Sequence, residues 1–371
     1  HKKEKEKKKN RMLFIGRTRS GKVYKGTHVP QQLEGYVKRK PDETTNGSEP
    51  SNPPSKRTRA DGYGAEEIQI AGFNEELSLQ NWKSSETPKK LAFGAGFNNA
   101  GQPFKRDQAV FPPSVTRVTF GDKFNQQLVP GMWGTETIIE EIYFGGGFNN
   151  AGKAFTPGQA VFPPSVRTVN FGGFGESKFN QQLVPGMWGT EPRINNVYFG
   201  GEFNNAGQPF TPGQAVFPPS VRAVNFGGFG QASFNQQLVP GMWATAAAEN
   251  SLEEINFGRA FNNGGSAFRE EDGQVFPDVT GVMELGNSFN QQLVPGIWGA
   301  AKTREVLFSS AFNNGGLPFE GKDGQTRQPV FPKVKNMDLG ANFNQQLVPG
   351  IWDEVESVLF GDRFNNNGHP F

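Results

Sequence analysis

The stretch whose residue types come nearest to chemistry is Gly16-Arg-Thr-Arg-Ser-Gly21-Lys22, inside LFIGRTRSGKVYKG. A phosphate-binding loop reads G-x-x-x-x-G-K-[ST], with backbone N–H groups cradling the phosphates, the lysine reaching them and the hydroxyl holding magnesium. Here Val23 takes the hydroxyl's place, and Gly26 and Pro30 interrupt the helix that should follow. Nucleotide binding is therefore not expected, and no cofactor is implied. Other chemistry has little material. The chain has no cysteine, and its only histidines are His1, His28 and His369. Thiolate nucleophiles, Cys-ligated metals and disulfide frameworks are excluded, and His-based zinc sites or triads have almost nothing to build on. No enzyme is expected.

The 371 residues carry a net charge of +2 that hides an asymmetry. Residues 1–60 hold 17 Lys+Arg against 6 Asp+Glu, which leaves 21 and 30 of the chain's 38 and 36 for the rest. A basic stretch of +11 thus precedes a body of −9. Residues 1–40 read as a basic arm, 41–65 as a Pro-, Ser- and charge-rich linker, and 66–371 as the folded body. Lys38, Arg39 and Lys40, with Lys56, Arg57 and Arg59, resemble the halves of a bipartite nuclear-import signal; contacts to phosphates or to an acidic protein suit them equally. No apolar run is long enough for a transmembrane helix, and no signal peptide is visible. An intracellular or virion setting is expected rather than secretion. Because it starts at His1 and stops mid-repeat at Phe371, the chain reads as a segment of a longer one.

What the elements must position is a repeat. Phe-Asn pairs begin at Phe73, Phe97, Phe124, Phe148, Phe179, Phe203, Phe234, Phe261, Phe289, Phe312, Phe343 and Phe364, spaced 21 to 31 residues apart. Each follows a short β-branched and aromatic run such as VTFGDKFN, which reads as one strand and a turn. Two flavours alternate: one continues QQLVPGMW, the other reads FNNAGQPF and later VFPPSV. Strands this far apart suit a mainly β solenoid of about twelve stacked coils with one parallel strand per coil, a rod on the order of 55–60 Å long. The recurrent Asn is expected to bond backbone at a turn. The six Trp are expected in the core, with a ligand-stacking row as the alternative.

SVTRVTFGDKFNQQL, Ser114 to Leu128, resembles the FNIP repeat, a leucine-rich-repeat-like unit of protists and their large DNA viruses. Looser copies run through 66–371; the chain departs from the pattern by alternating two coil types and by reading FNN where FNQ is the rule. The resemblance implies protein–protein interaction rather than catalysis.

Along each strand the residue before the closing Phe or Leu should face outward. That row runs Thr119, Tyr143, Asn170, Tyr198, Asn225, Asn256, Glu284, Leu307, Asp338, Leu359. It holds neither a threonine ladder nor the carboxylate cluster of a β-helical hydrolase. Tyr143, Asn170, Tyr198, Asn225, Leu307 and Leu359 form a candidate interaction face. Glu140 with Arg167, Arg222 with Glu253 and Lys335 with Glu356 are expected cross-strand charge pairs. Two Gly-rich insertions, Gly173–Lys178 and Gly228–Ser233, carry Phe174 and Phe229, either tucked back or offered to a partner. The expected function is a non-enzymatic scaffold binding other proteins in a large assembly, such as a virion; nucleic-acid binding through the arm is the alternative.

Overall fold

The computed structural model describes residues 14–17, 23–26, 67–82, 87–172, 177–227, 232–243, 252–319, 329–352 and 354–369. The chain divides into two compact units, His1–Asn52 and Pro53–Phe371, a boundary inside the expected linker. In the first, β1 (Phe14–Arg17) pairs antiparallel with β2 (Val23–Gly26), Arg17 opposite Val23. A strand thus stands where a phosphate loop would require a helix.

The second unit is one parallel sheet of twelve strands in chain order. These are β3 (Glu67–Ile70), β4 (Lys90–Phe93), β5 (Arg117–Thr119), β6 (Glu141–Tyr143), β7 (Thr168–Asn170) and β8 (Asn196–Tyr198). They continue as β9 (Ala223–Asn225), β10 (Leu252–Asn256), β11 (Val279–Glu284), β12 (Thr303–Leu307), β13 (Val334–Asp338) and β14 (Val355–Leu359). Each strand precedes one Phe-Asn pair, so each pair marks one coil, and the mainly β solenoid is as expected. Register follows burial: Val118, Ile142, Val169, Val197 and Val224 stand opposite one another on β5 to β9, each 0–1% exposed. A one-residue slip would turn this row to water. Between β10 and β11 the register shifts, because β11 carries an extra residue. Gly281 permits it, since a Cβ there would lie 1.9 Å from the carbonyl oxygen of Glu253.

The two coil flavours interlock by different means. In FNQ coils, here called glutamine coils, Trp133 and Trp188 are 2–3% exposed. Each tryptophan stacks on a phenylalanine of the preceding coil: Phe111 with Trp133, Phe162 with Trp188 and Phe217 with Trp243, at 4.7–5.2 Å. Their indole N–H groups donate forward to Val161, Val216 and Val275 carbonyls at 2.7–3.1 Å. Each of these tryptophans therefore clamps the coil before to the coil after. The core expectation holds for Trp133 and Trp188, while Trp82, Trp243, Trp298 and Trp352 pack against the core partly buried. The Phe of the Phe-Asn pair forms its own column, ring centroids 5.6–6.0 Å apart from Phe73 to Phe364.

FNN coils, the asparagine coils, use their second Asn. Asn99, Asn150, Asn205, Asn263, Asn314 and Asn366 are 0–3% exposed. Each accepts the N–H of a leucine in the preceding coil, as Asn205 does from Leu183 at 2.7 Å, and donates to its own chain three residues on, as to Gln208. Its partner in the glutamine coil, the Gln, instead donates back to the preceding Asn; Gln181 bonds the carbonyl of Asn149 at 3.1 Å. So FNN and FNQ are complementary halves of one joint, and a buried backbone group is satisfied in each.

The first Asn runs through both types as a ladder. From Asn74 to Asn344, each carboxamide oxygen accepts the N–H of the corresponding Asn in the next coil at 2.7–2.9 Å. In glutamine coils it also accepts from the N–H two residues further on, Ala151 to Asn125 and Ala206 to Asn180 at 2.8 Å. That bond holds the asparagine coil in a left-handed turn, with φ of +52° at Asn150 and Ala151. The region costs a non-glycine residue about 1–2 kcal/mol, which the ladder offsets.

Candidate binding face of the sheet

A parallel sheet ordinarily has both faces covered. Here the inner face meets the aromatic core, and among the described residues the outer face packs against no further element. The two-coil alternation also writes this outer face. Asparagine coils place Tyr143, Tyr198, Leu307 and Leu359 there, whereas glutamine coils place Asn170, Asn225, Glu284 and Asp338. From β6 to β8 and from β12 to β14, large side chains thus stand on alternate strands, about 9.6 Å apart, with a short polar one between them. The asparagine coils of β4 and β10 place Ala92 and Asn256 there instead.

The short ones serve the backbone. Asn170, Asn225, Asn256 and Asp338 accept the N–H of Gly172, Gly227, Gly258 and Gly340 at 2.8–2.9 Å, closing the turn after the strand. This corrects two expected face residues: Asn225 is tied to its own turn, and Asn170 is both tied and buried, 4% exposed. The triplets Asn-Phe-Gly and Asp-Leu-Gly are the sequence signal for it.

Tyr143 is engaged too. Its hydroxyl donates to the Glu141 carboxylate at 3.1 Å, and the Arg117 guanidinium lies over its ring at 5.7 Å while pairing with the same carboxylate. Burial, and then the Glu141 charge, push the Tyr143 hydroxyl up to about 12, with Arg117 opposing. Tyr198 is half-buried, its hydroxyl also raised by burial and by Glu254. Glu284 is held above the usual carboxylate range by burial first, then by Glu254 and Glu305, against a hydrogen bond from Asn256. Carboxylates therefore do gather on β10 to β12, which the row before the closing residue alone concealed, because Glu254 and Glu305 lie two positions earlier in their strands. Among the described residues no group of three or more His, Cys, Asp or Glu is placed to hold a metal.

The most open part of the face lies at β12 to β14. Leu359 is 62% exposed. Glu305, Leu307, Asn336, Met337, Asp338, Ser357 and Leu359 line a shallow depression of about 150 Å³ there. Asp338, Glu305, Asn336 and Ser357 were not singled out from sequence; the Leu-Asp-Leu alternation in the outward row was the available sign.

Of the expected charge pairs, Glu140–Arg167 stands at 3.6 Å and Arg222–Glu253 at 2.9 Å. The third differs: Glu356 pairs with Lys302 at 2.9 Å, and Lys335 acts on it only through space. Strand register fixes where Cβ atoms stand, but a long lysine from another coil can still take the carboxylate. Phe174 and Phe229 lie outside the described residues, as do Lys38, Arg39, Lys40, Lys56, Arg57 and Arg59. Where the first insertion returns, Ser177 is buried against Gly200, whose added Cβ would come within 1.9 Å of the serine Cβ.

No known protein family matches the chain, and no curated protein is significantly similar to it. Among the described residues no helix is long and apolar enough to cross a membrane.

Proposed function

We propose that this chain is a non-enzymatic scaffold, a solenoid of FNIP-like repeats that holds protein partners in a larger assembly through the outer face of its sheet. The observation that carries this reading is the open face itself. Twelve strands are locked in register by side-chain ladders, and large residues project from β6, β8, β12 and β14. A surface already ordered loses little conformational entropy on binding, so modest contacts suffice. A photo-crosslinking side chain at Tyr198 or Leu359, in the full chain within its native source, should give protein adducts that the same group at Leu317, exposed in an asparagine-coil turn, does not. Equal labelling at all three positions, or none at the face, would overturn the scaffold reading.

A second reading rests on the +11 charge of residues 1–60, which suits phosphate backbones. If the arm binds nucleic acid, affinity falls steeply between about 50 and 200 mM salt and vanishes on deletion of residues 1–60. An affinity indifferent to both would remove that reading.

A further inference from the structure

The depression at β12 to β14 has a definite chemistry. Leu307 and Leu359 come from alternate strands and flank Asp338 on the strand between them. Two residues before Asp338 on β13 stands Asn336, paired with Ser357 of β14; both are short, so the floor is low, and Glu305 closes one corner. Charged lining residues are Glu305 and Asp338 alone; the lining holds no lysine or arginine. Of the nearby cations, Lys302 and Lys333, just before β12 and β13, are taken by Glu354 and Glu356. Arg304 and Lys335, on β12 and β13 themselves, do not line the depression. One Asp338 oxygen caps Gly340, which leaves its second oxygen to meet a ligand.

Apolar walls about 9.6 Å apart with a carboxylate between them suit a side chain that is an alkyl stem ending in a cation. A neutral apolar side chain would leave Asp338 and Glu305 facing it without compensation, and an acidic one would be repelled. The molecule shows the same kind of arrangement once within itself: Arg117 reaches across the face, pairs with Glu141 and lies over the ring of Tyr143. There the large residue of an asparagine coil already has its cation. At Leu307 and Leu359 the lining supplies none.

We propose that the cleft formed by Leu307, Asp338 and Leu359, with Glu305 at its corner, receives an arginine or lysine side chain from an exposed segment of a protein partner. The stem packs between the two leucines and the cation pairs with Asp338. This deepens the scaffold reading and rests on it for the identity of the partner as a protein. It also adds a specificity element, since the glutamine-coil residue chooses the charge and the asparagine-coil residues choose the apolar stem.

The test uses the full chain with isotope-labelled leucine methyl groups. The probe is a blocked Ala-Ala-Arg-Ala-Ala peptide, with its Lys, Gln and Glu counterparts. Binding should shift the Leu307 and Leu359 methyl resonances with the Arg or Lys peptide and leave them in place with Gln or Glu. Asp338→Asn keeps the oxygen that caps Gly340, so the fold is retained while the charge is lost. It should weaken the Arg peptide about tenfold, as should combining Leu307→Ser with Leu359→Ser. Equal shifts with the Gln peptide, or an unchanged affinity in Asp338→Asn, would overturn the proposal. Its failure is separable from that of the scaffold reading. Protein adducts at Leu359 without any Arg-peptide response would sink only the basic-side-chain assignment. An Arg-peptide response without protein adducts would sink the scaffold and leave the cleft as a cation site.

Discussion

Glutamine coils and asparagine coils share a strand, a stacked Phe-Asn pair and a ladder of asparagine bonds, yet they do opposite work. Glutamine coils bring the tryptophans that clamp their neighbours, and a Gln that reaches back at the rim of the joint. Asparagine coils bring a buried carboxamide that satisfies a leucine N–H of the coil before, in a left-handed turn that only a bonded backbone holds. The division continues outside in part: asparagine coils carry Tyr143, Tyr198, Leu307 and Leu359, and glutamine coils carry Asn170, Asn225 and Asp338, which cap their own turns, although Asn256 of an asparagine coil does the same. A period of two coils thus allows packing and surface to vary separately. A period of one would place identical side chains directly over one another on the outer face, with no dips between them.

That division can be broken at several points. The largest effect belongs to Trp188→Ala, which removes both the stack on Phe162 and the bond to Val216; chemical denaturation should show a loss of about 3–5 kcal/mol. Asn205→Ala comes next, at about 2–4 kcal/mol, because it strands the Leu183 N–H and the Gln208 carbonyl. Gln181→Ala should cost only about 1 kcal/mol, because the Asn149 carbonyl still accepts the Gly152 N–H and its carboxamide oxygen the Asn180 N–H. If the last two losses are equal, the coils are not specialised as described. Ala206→Gly should move the other way and stabilise by about 0.5 kcal/mol, since φ there is +52° and the later asparagine coils already use Gly264 and Gly315.

The smallest expected effect is electrostatic. The Glu284 carboxyl is raised in the folded state, so folding takes up protons between the ordinary carboxylate value and the raised one. Stability therefore falls as pH rises through that window, and the loss stays in full above it. Glu284→Gln should stabilise the protein by less than about 1 kcal/mol at neutral pH, an advantage that disappears once the medium is acidic enough to protonate Glu284 in both states. A Glu284→Gln advantage that grew on acidification would contradict the proposed crowding of Glu254, Glu284 and Glu305.

Much of this was legible beforehand. The spacing of Phe-Asn pairs located all twelve strands, and the apolar letters Val118, Ile142, Val169 and Val197 gave the buried row. A strand has period two, and a stack of coils repeats its core. The outward row was also read in the correct direction. What escaped was the use of each outward side chain. Asn170 and Asn225 look like binding residues until the glycine two positions on is seen to claim them. Tyr143 looks open until Arg117 of the neighbouring coil is seen over it. Glu356 looks paired to Lys335 until Lys302 arrives from two coils away.

The chain's own letters determined that this would be a stack of parallel strands around an aromatic column, because a repeated apolar phrase can be buried only against copies of itself. Which of two asparagines would hold the next coil, and which outward residues would be left over, was decided by tertiary structure alone. Hydrogen bonds and ion pairs between residues 20 or more apart depend on the coil-to-coil register, and no single coil contains that information.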